Sequence, residues 1–201
     1  LNFVLGILVT LMIVIGILGL YGLNETNHAV KRIYDDRLVT SQQLGKILDT
    51  WYQIRKLTED SVDMNEIENA RRNLGTANNL VRQNESVWAE YLKTQLTPEE
   101  AVLSKTKGNQ HVQYVESFNR SLQLATTGNF VDAKQNFLND TIPKFDALRN
   151  TVFALLDLQG TVASEELVAS QNNFNTLFMV LVSVMIMSVV LAIIFGIIIL
   201  K

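Results

Sequence analysis

Few side chains in this sequence have types and spacing that suit chemistry, and the clearest group surrounds Arg55. An arginine guanidinium is planar and donates paired hydrogen bonds, so it suits a carboxylate or phosphate, and partial burial strengthens that contact. Three residues lie three or four positions from it, on one face of a predicted helix: Trp51, Tyr52 and Thr58. This group predicts a site for a small organic acid. The alternative is that Arg55 is a solvated charge beside Glu59, four residues further on.

No comparable group predicts catalysis or a metal site. Catalysis needs a nucleophile, a base and an orienting group within reach of one another, and the two histidines, His28 and His111, lie on different predicted helices. The chain has no cysteine, which excludes disulfides, thiol catalysis and cysteine-based metal centres. It also has no glycine-rich phosphate loop. We therefore expect no enzyme activity, no cofactor and no bound metal.

Two long apolar runs bracket the polar middle of the chain. They cover residues 1–23 and 177–200, and each has about the 20 residues that an α-helix needs to cross the hydrocarbon core of a membrane. Two crossings would place both ends of the chain on one side and hold residues 24–176 on the other. The first run could instead be a signal peptide, but it is too long for such a core and lacks an Ala-x-Ala cleavage site.

The charge pattern and the chain ends narrow the setting. The net charge is −3 with acidic and basic residues interspersed, which predicts no nucleic-acid surface. The sequence begins with Leu1 rather than Met and stops at Lys201, one residue after the second run. We expect a piece of a longer protein whose cytoplasmic relay and signalling domains lie outside it.

The middle of the chain predicts four helices, because its apolar residues recur three and four apart. The first follows the first apolar run directly and weakens near residues 59–65, and the second covers residues 67–92. Thr97-Pro98-Glu99-Glu100 predicts the start of the third, and Thr127-Gly128-Asn129 predicts its end. The fourth continues into the second apolar run. The predicted fold is all-α: an antiparallel up-down-up-down four-helix bundle flanked by two transmembrane helices.

Several other residues favour structural roles. Pro143 removes a backbone donor inside the fourth helix, so it predicts a kink or the end of a preceding short helix. Trp88 lies in an apolar stripe and predicts a core position. Two pairs have the spacing of surface ion pairs on a helix: Glu68 with Arg71, and Arg82 with Glu85.

Short motifs along most of the chain resemble bacterial methyl-accepting chemotaxis receptors with a four-helix-bundle sensor. They are Gly19-Leu20-Tyr21-Gly22-Leu23, Ile33-Tyr34-Asp35-Asp36-Arg37-Leu38-Val39, Gln43-Leu44-Gly45 and Ala125-Thr126-Thr127-Gly128-Asn129-Phe130. The resemblance implies a homodimer anchored in the lipid of the bacterial inner membrane, with a periplasmic sensor domain that binds a small organic or amino acid. It also implies that a small shift of the fourth helix reaches a cytoplasmic kinase and adaptor.

The resemblance also nominates ligand contacts. In the family's amino-acid receptors, arginines on the first helix of both subunits clamp a carboxylate, and groups on the fourth helix grip the amino group. The matching positions here are Arg55 and, around Pro143, three further residues: Thr141, Lys144 and Phe145. This chain departs from the family because it has only Arg55 and Lys56 in place of several arginines. Two copies of Arg55 in a dimer would suit a dicarboxylate, and the aromatic neighbours would suit an aromatic acid.

Alternative readings remain at two levels. Asp35, Asp36 and Arg37 match a family feature near the membrane, and we interpret them as helix–helix contacts at the base of the bundle rather than as ligand contacts. The same architecture also serves as the input module of sensor histidine kinases and cyclic-dinucleotide enzymes. A third possibility, from another class, is a structural membrane tether whose bundle binds a protein or nothing.

Overall fold

The computed structural model describes residues 2–200, with side chains described for residues 6, 7 and 9–197, and the described chain is helical apart from short turns. The α-helices are α1 (Asn2–Arg32), α2 (Val39–Asp63), α3 (Ile67–Tyr91), α4 (Pro98–Thr126), α5 (Phe130–Asn136) and α6 (Ile142–Leu200). A first π segment (Ile33–Leu38) joins α1 to α2, and a second π segment (Phe137–Thr141) joins α5 to α6. The predicted all-α four-helix-bundle fold is confirmed.

The helices form two compact units. The first, which we call the bundle, is Asp35–Thr161 and contains α2 to α5, the second π segment and the first third of α6. The second, which we call the helix pair, consists of the chain up to Tyr34 and from Val162 onward. The predicted sensor domain, residues 24–176, thus contains the bundle and short helical stretches of the helix pair.

The ends of the bundle helices follow from local sequence. The side chain of Thr97 accepts a hydrogen bond from the backbone N–H of Glu100 at 3.2 Å, and the Glu100 carboxylate accepts one from the N–H of Thr97 at 2.6 Å. This reciprocal cap confirms the start predicted for α4. The turn after α4 uses Gly128 at φ 80°, and the turn between α2 and α3 uses Asn65 at φ 56°. Both residue types tolerate this left-handed conformation better than others do.

The interruption predicted at Pro143 is present and takes the form of the second π segment. A proline inside a helix has no N–H to donate and its ring clashes with the carbonyl four residues earlier. In the structure Pro143 is the second residue of α6, and Ile142 donates its N–H to the carbonyl of Phe137, five residues earlier. The first π segment contains no proline, and nothing in its sequence predicted it; we expected an uninterrupted α-helix there.

The core of the bundle is apolar and draws on four helices. Its largest fully buried side chains come from α2, α3, α4 and α6: Trp51, Ile54, Tyr91, Tyr114, Phe118, Phe145 and Leu148. The predicted core position of Trp88 is confirmed, since this partly buried ring packs against the same cluster. Burying such side chains stabilises the fold by roughly 25 cal/mol per Å² of apolar surface removed from water.

The helix pair has the opposite pattern, because its large apolar side chains point outward. Met12, Leu20 and Met179 are each about two-thirds exposed. Two helices of the chain are long and apolar enough to cross a membrane. A wide exposed apolar surface marks contact with lipid or another protein, so these helices are candidate membrane spans. Within the pair, a Cβ added at Gly22 would lie 3.4 Å from the Leu177 side chain, so the two helices approach closely there.

Candidate ligand-binding site

Side chains of α2 and α6 converge on one aromatic ring. The buried Phe145 ring lies edge-on to Tyr52, with ring centroids 5.1 Å apart. The guanidinium carbon of Arg55 lies 5.4 Å from the centroid of Phe145, and that of Arg149 lies 5.8 Å from it. Each helix contributes two residues one turn apart, so regular helical spacing positions the group. We call these four residues the arginine–phenylalanine cluster.

Arg55 is the cation of this cluster that keeps its hydrogen-bonding capacity. Its side chain is half-buried, and its Nε is buried without a hydrogen-bond partner among the described residues. No ion pair joins it to Glu59 in the described part of the chain, so the alternative of a simple surface pair does not fit. Arg149, by contrast, is paired with Asp146 at 3.1 Å. Stacking on a ring uses the face of a guanidinium and leaves its in-plane N–H groups for a carboxylate.

The charge of Arg55 also reaches the core. Burial raises the pKa of Tyr114, and the positive charge of Arg55 opposes that rise. The ring of Tyr114 lies 5.7 Å from that of Phe145, centroid to centroid. The cluster therefore stands directly above core residues, and a ligand bound there would touch the packing of the bundle.

Two of the predicted contacts, Trp51 and Thr58, lie beneath the cluster rather than in it. Trp51 is 1% exposed and packs edge-on against Tyr114 and His111, at centroid distances of 5.5 and 5.2 Å. Thr58 is fully buried, and its hydroxyl donates to the backbone carbonyl of Ile54 at 2.8 Å. Both residues therefore support the site by packing.

Thr141 and Lys144 belong to a different set of contacts, made with α4 and the second π segment. Thr141 is fully buried, and its hydroxyl lies 2.9 Å from that of Ser117 and 3.1 Å from that of Ser121. Lys144 pairs with Asp140 at 2.8 Å. The seven residues predicted for one site thus divide: Tyr52, Arg55 and Phe145 come together, and Arg149 joins them without having been predicted.

Lys144 borders a groove of about 590 Å³ between α4 and the stretch formed by α5 and the second π segment. We call it the polar groove, because charged and amide side chains line most of it. Ser117 donates to the carboxylate of Asp140 at 2.5 Å. Hydrogen bonds from Lys144 and Ser117 hold the pKa of Asp140 below its ordinary value. That carboxylate is therefore ionised and fixed in place at neutral pH.

A second cation–ring contact lies inside the core, where we predicted none. Lys107 is 1% exposed, and its amine lies 3.9 Å from the centroid of the Trp88 ring. Burial lowers the pKa of Lys107 to about 7. Burial, followed by the charge of Lys107, also lowers the pKa of His111, whose Nε2 lies 3.3 Å from Glu85. The predicted Arg82–Glu85 pair is wrong, since Glu85 contacts His111 and Arg82 donates to Asn79 instead.

The helix–helix contact expected of Arg37 is confirmed. Its guanidinium lies 3.5 Å from the carboxylate of Glu100 on α4 and 3.4 Å from the side-chain oxygen of Gln159 on α6. Gln159 also donates to Glu100 and accepts from Thr40 at 3.1 Å. Burial, followed by the charge of Glu100, raises the pKa of Tyr91 to about 12. These residues tie three helices together and leave no obvious space for a ligand.

The described residues hold no group of three or more His, Asp or Glu side chains placed to bind a metal ion. Fold and site together define a class: a helical sensory input module with two candidate membrane spans. The chain matches the family of four helix bundle sensory modules for signal transduction over residues 1–174. The match covers most of the chain, so the chain belongs to this family, the membrane-anchored sensor module of methyl-accepting chemotaxis receptors. No curated protein matches the chain.

Proposed function

We propose that this chain is the transmembrane input module of a chemotaxis receptor and that it binds a small organic acid at the arginine–phenylalanine cluster. The bundle would lie in the periplasm, with both apolar helices in the bacterial inner membrane. One observation carries the proposal: Arg55 is half-buried, stacked on Phe145 and without an ion pair among the described residues. A charge that has lost part of its hydration without gaining a carboxylate partner favours an anion that supplies one.

The cluster suits an acid with two features. A carboxylate would accept two parallel hydrogen bonds from the in-plane N–H groups of Arg55, which Lys would not supply in the same geometry. Arg149 stands over the same ring and would contribute positive potential, although Asp146 already occupies part of its donor set. The exposed ring of Tyr52 would cover an apolar or aromatic part of the ligand. In a homodimer, a second copy of Arg55 would accommodate a second carboxylate.

Signalling would follow from the position of the ligand between two helices. Phe145 and Arg149 belong to α6, which runs to Leu200 and contains the second apolar run. A ligand that binds one arrangement of α2 and α6 more tightly would shift the population toward that arrangement. The shift is limited by its differential affinity for the two states. We propose that a small displacement of α6 is the output of the module.

A thermal-unfolding assay on the whole chain in detergent micelles tests the site. The probes are succinate and benzoate, and the matched variants are Arg55→Gln and Arg72→Gln, which remove one positive charge each. Arg72 lies exposed on α3, away from the cluster. A ligand at about 100 times its dissociation constant stabilises the folded form by roughly 2.7 kcal/mol. We expect at least one acid to raise the unfolding midpoint of the parent and of Arg72→Gln, but not of Arg55→Gln. A rise retained in Arg55→Gln would contradict the site.

A further inference from the structure

The polar groove is a second concave site of the bundle, separate from the arginine–phenylalanine cluster. Its volume of about 590 Å³ falls within the roughly 300–1,000 Å³ typical of small-molecule sites. One wall is α4, and the other is α5 with the second π segment. π segments inside helices frequently accompany functional sites, and this one forms a wall of the groove rather than lying elsewhere on the helix.

The floor of the groove is fixed by hydrogen bonds between its walls. The side-chain amide of Asn136 donates to the backbone carbonyl of Ser117 at 3.0 Å and to the hydroxyl of Ser121 at 2.9 Å. Thr141 shares hydrogen bonds with the same two serines. Because these polar groups already satisfy one another, a ligand would meet a preorganised surface and would pay little for ordering it.

Two charges of α4 face the groove without pairing. Glu116 and Arg120 are four residues apart, a spacing at which opposite charges on a helix normally attract each other. In the described part of the chain no ion pair joins them, and neither side chain makes a hydrogen bond. The neighbouring carboxylate of Asp140 is already engaged by Lys144. The groove therefore presents one carboxylate and one guanidinium, one helical turn apart, that are available to a ligand.

We propose that the polar groove binds a small zwitterion with the chemistry of an α-amino acid. The ligand carboxylate would pair with Arg120, close to the positive charge of Lys144, and its ammonium group would pair with Glu116. A purely anionic ligand would leave Glu116 opposed to it, and a purely cationic ligand would leave Arg120 opposed. This site goes beyond the organic-acid site, since it uses none of the residues of the arginine–phenylalanine cluster.

Thermal unfolding of the whole chain in detergent micelles, with each of the twenty standard L-amino acids in turn, tests this proposal. For each amino acid that raises the midpoint, its N-acetyl derivative removes the ammonium charge and its amide removes the carboxylate. Isothermal titration then gives the dissociation constant for four variants: Glu116→Gln, Arg120→Gln, Arg120→Lys and, as the control from the other site, Arg55→Gln.

We expect at least one amino acid to bind, neither derivative to bind comparably, and Glu116→Gln and Arg120→Gln each to weaken binding at least about tenfold. Arg120→Lys should retain part of the affinity, because it keeps the charge but loses the paired donors. Arg55→Gln should leave the affinity unchanged, which separates this result from the organic-acid site. Absence of binding by all twenty, equal binding of either derivative, or loss of binding in Arg55→Gln alone would overturn the proposal.

Discussion

Arg55 and Lys107 are both cations set against an aromatic ring, but they differ in how much water they retain. Arg55 stacks on Phe145 at the side of the bundle and is half-buried, whereas Lys107 lies over Trp88 and is 1% exposed. A guanidinium is weakly hydrated and stays charged, while an ammonium group is strongly hydrated and gives up its proton when buried. The comparison teaches that Arg55 is placed to meet a ligand, and that Lys107 is a cost that the core carries.

The largest expected effect comes from the ring under Arg55. Phe145→Ala should lower the free energy of unfolding of the bundle by about 3–5 kcal/mol, since it removes a fully buried ring from the core. Phe145→Leu is the matched control, because it keeps most of the apolar volume and removes the surface on which Arg55 stacks. It should cost about 1 kcal/mol in stability and still weaken binding of an acid. Urea unfolding followed by the fluorescence of Trp51 and Trp88 measures the first effect.

Replacing the buried amine should have the opposite sign. Lys107→Met keeps the length of the side chain and removes a charge that burial disfavours, so it should stabilise the bundle by roughly 2–4 kcal/mol near neutral pH. The same urea titration at pH 7 reports it. A Lys107→Met variant less stable than the parent would mean that the contact with Trp88 outweighs desolvation and that the two cation sites are energetically alike.

The pH dependence sharpens the difference further. The pKa of Lys107 is lowered to about 7 from 10.5, so the unfolded chain binds more protons than the folded one between these values. Folding stability should therefore fall, relative to Lys107→Met, as the pH decreases from about 10.5 to 7, by up to 1.4 kcal/mol per pH unit. Below pH 7 the difference should level off. Urea midpoints of parent and variant at pH 7, 8, 9 and 10 test this; parallel profiles would contradict the assigned burial.

The smallest expected effect on stability is at Arg55 itself. Arg55→Met keeps a long apolar stem and should change the free energy of unfolding by less than about 1 kcal/mol, because the charge is only half-buried and no ion pair is lost. Binding of succinate or benzoate should nevertheless disappear. Unfolding midpoints with and without acid separate these outcomes. A large loss of stability without ligand would show that Arg55 holds the fold rather than a ligand.

The helices could be predicted because their signals are local. The cap at Thr97, the turn at Gly128 and the break before Pro143 each depend on residues within a few positions of one another. The cluster could be predicted only in part. Arg55 and Tyr52 lie on one turn, but the position of Arg149 over Phe145 depends on how α6 is rotated against α2, which no local pattern reports.

The buried lysine left a signal that the charge of its side chain hides. Lys107 shares the spacing of four, three and four residues that connects it to His111, Tyr114 and Phe118 along α4. Read as a position rather than as a residue type, 107 falls on the buried stripe. The pairing of Glu85 with His111 joins α3 to α4, so it depends on tertiary contact and could not be read from the helical spacing of Arg82.

Nuclear magnetic resonance of the arginine Nε–H groups tests the central claim most directly. The whole chain would be labelled with ¹⁵N-arginine in detergent micelles, and Arg55→Gln and Arg149→Gln would identify the two signals of the cluster by their loss. Titration with succinate or benzoate should move the Arg55 signal furthest and the Arg149 signal less, and should leave that of Arg72 in place. If either acid binds and the Arg55 signal does not move, the arginine–phenylalanine cluster is not the ligand site.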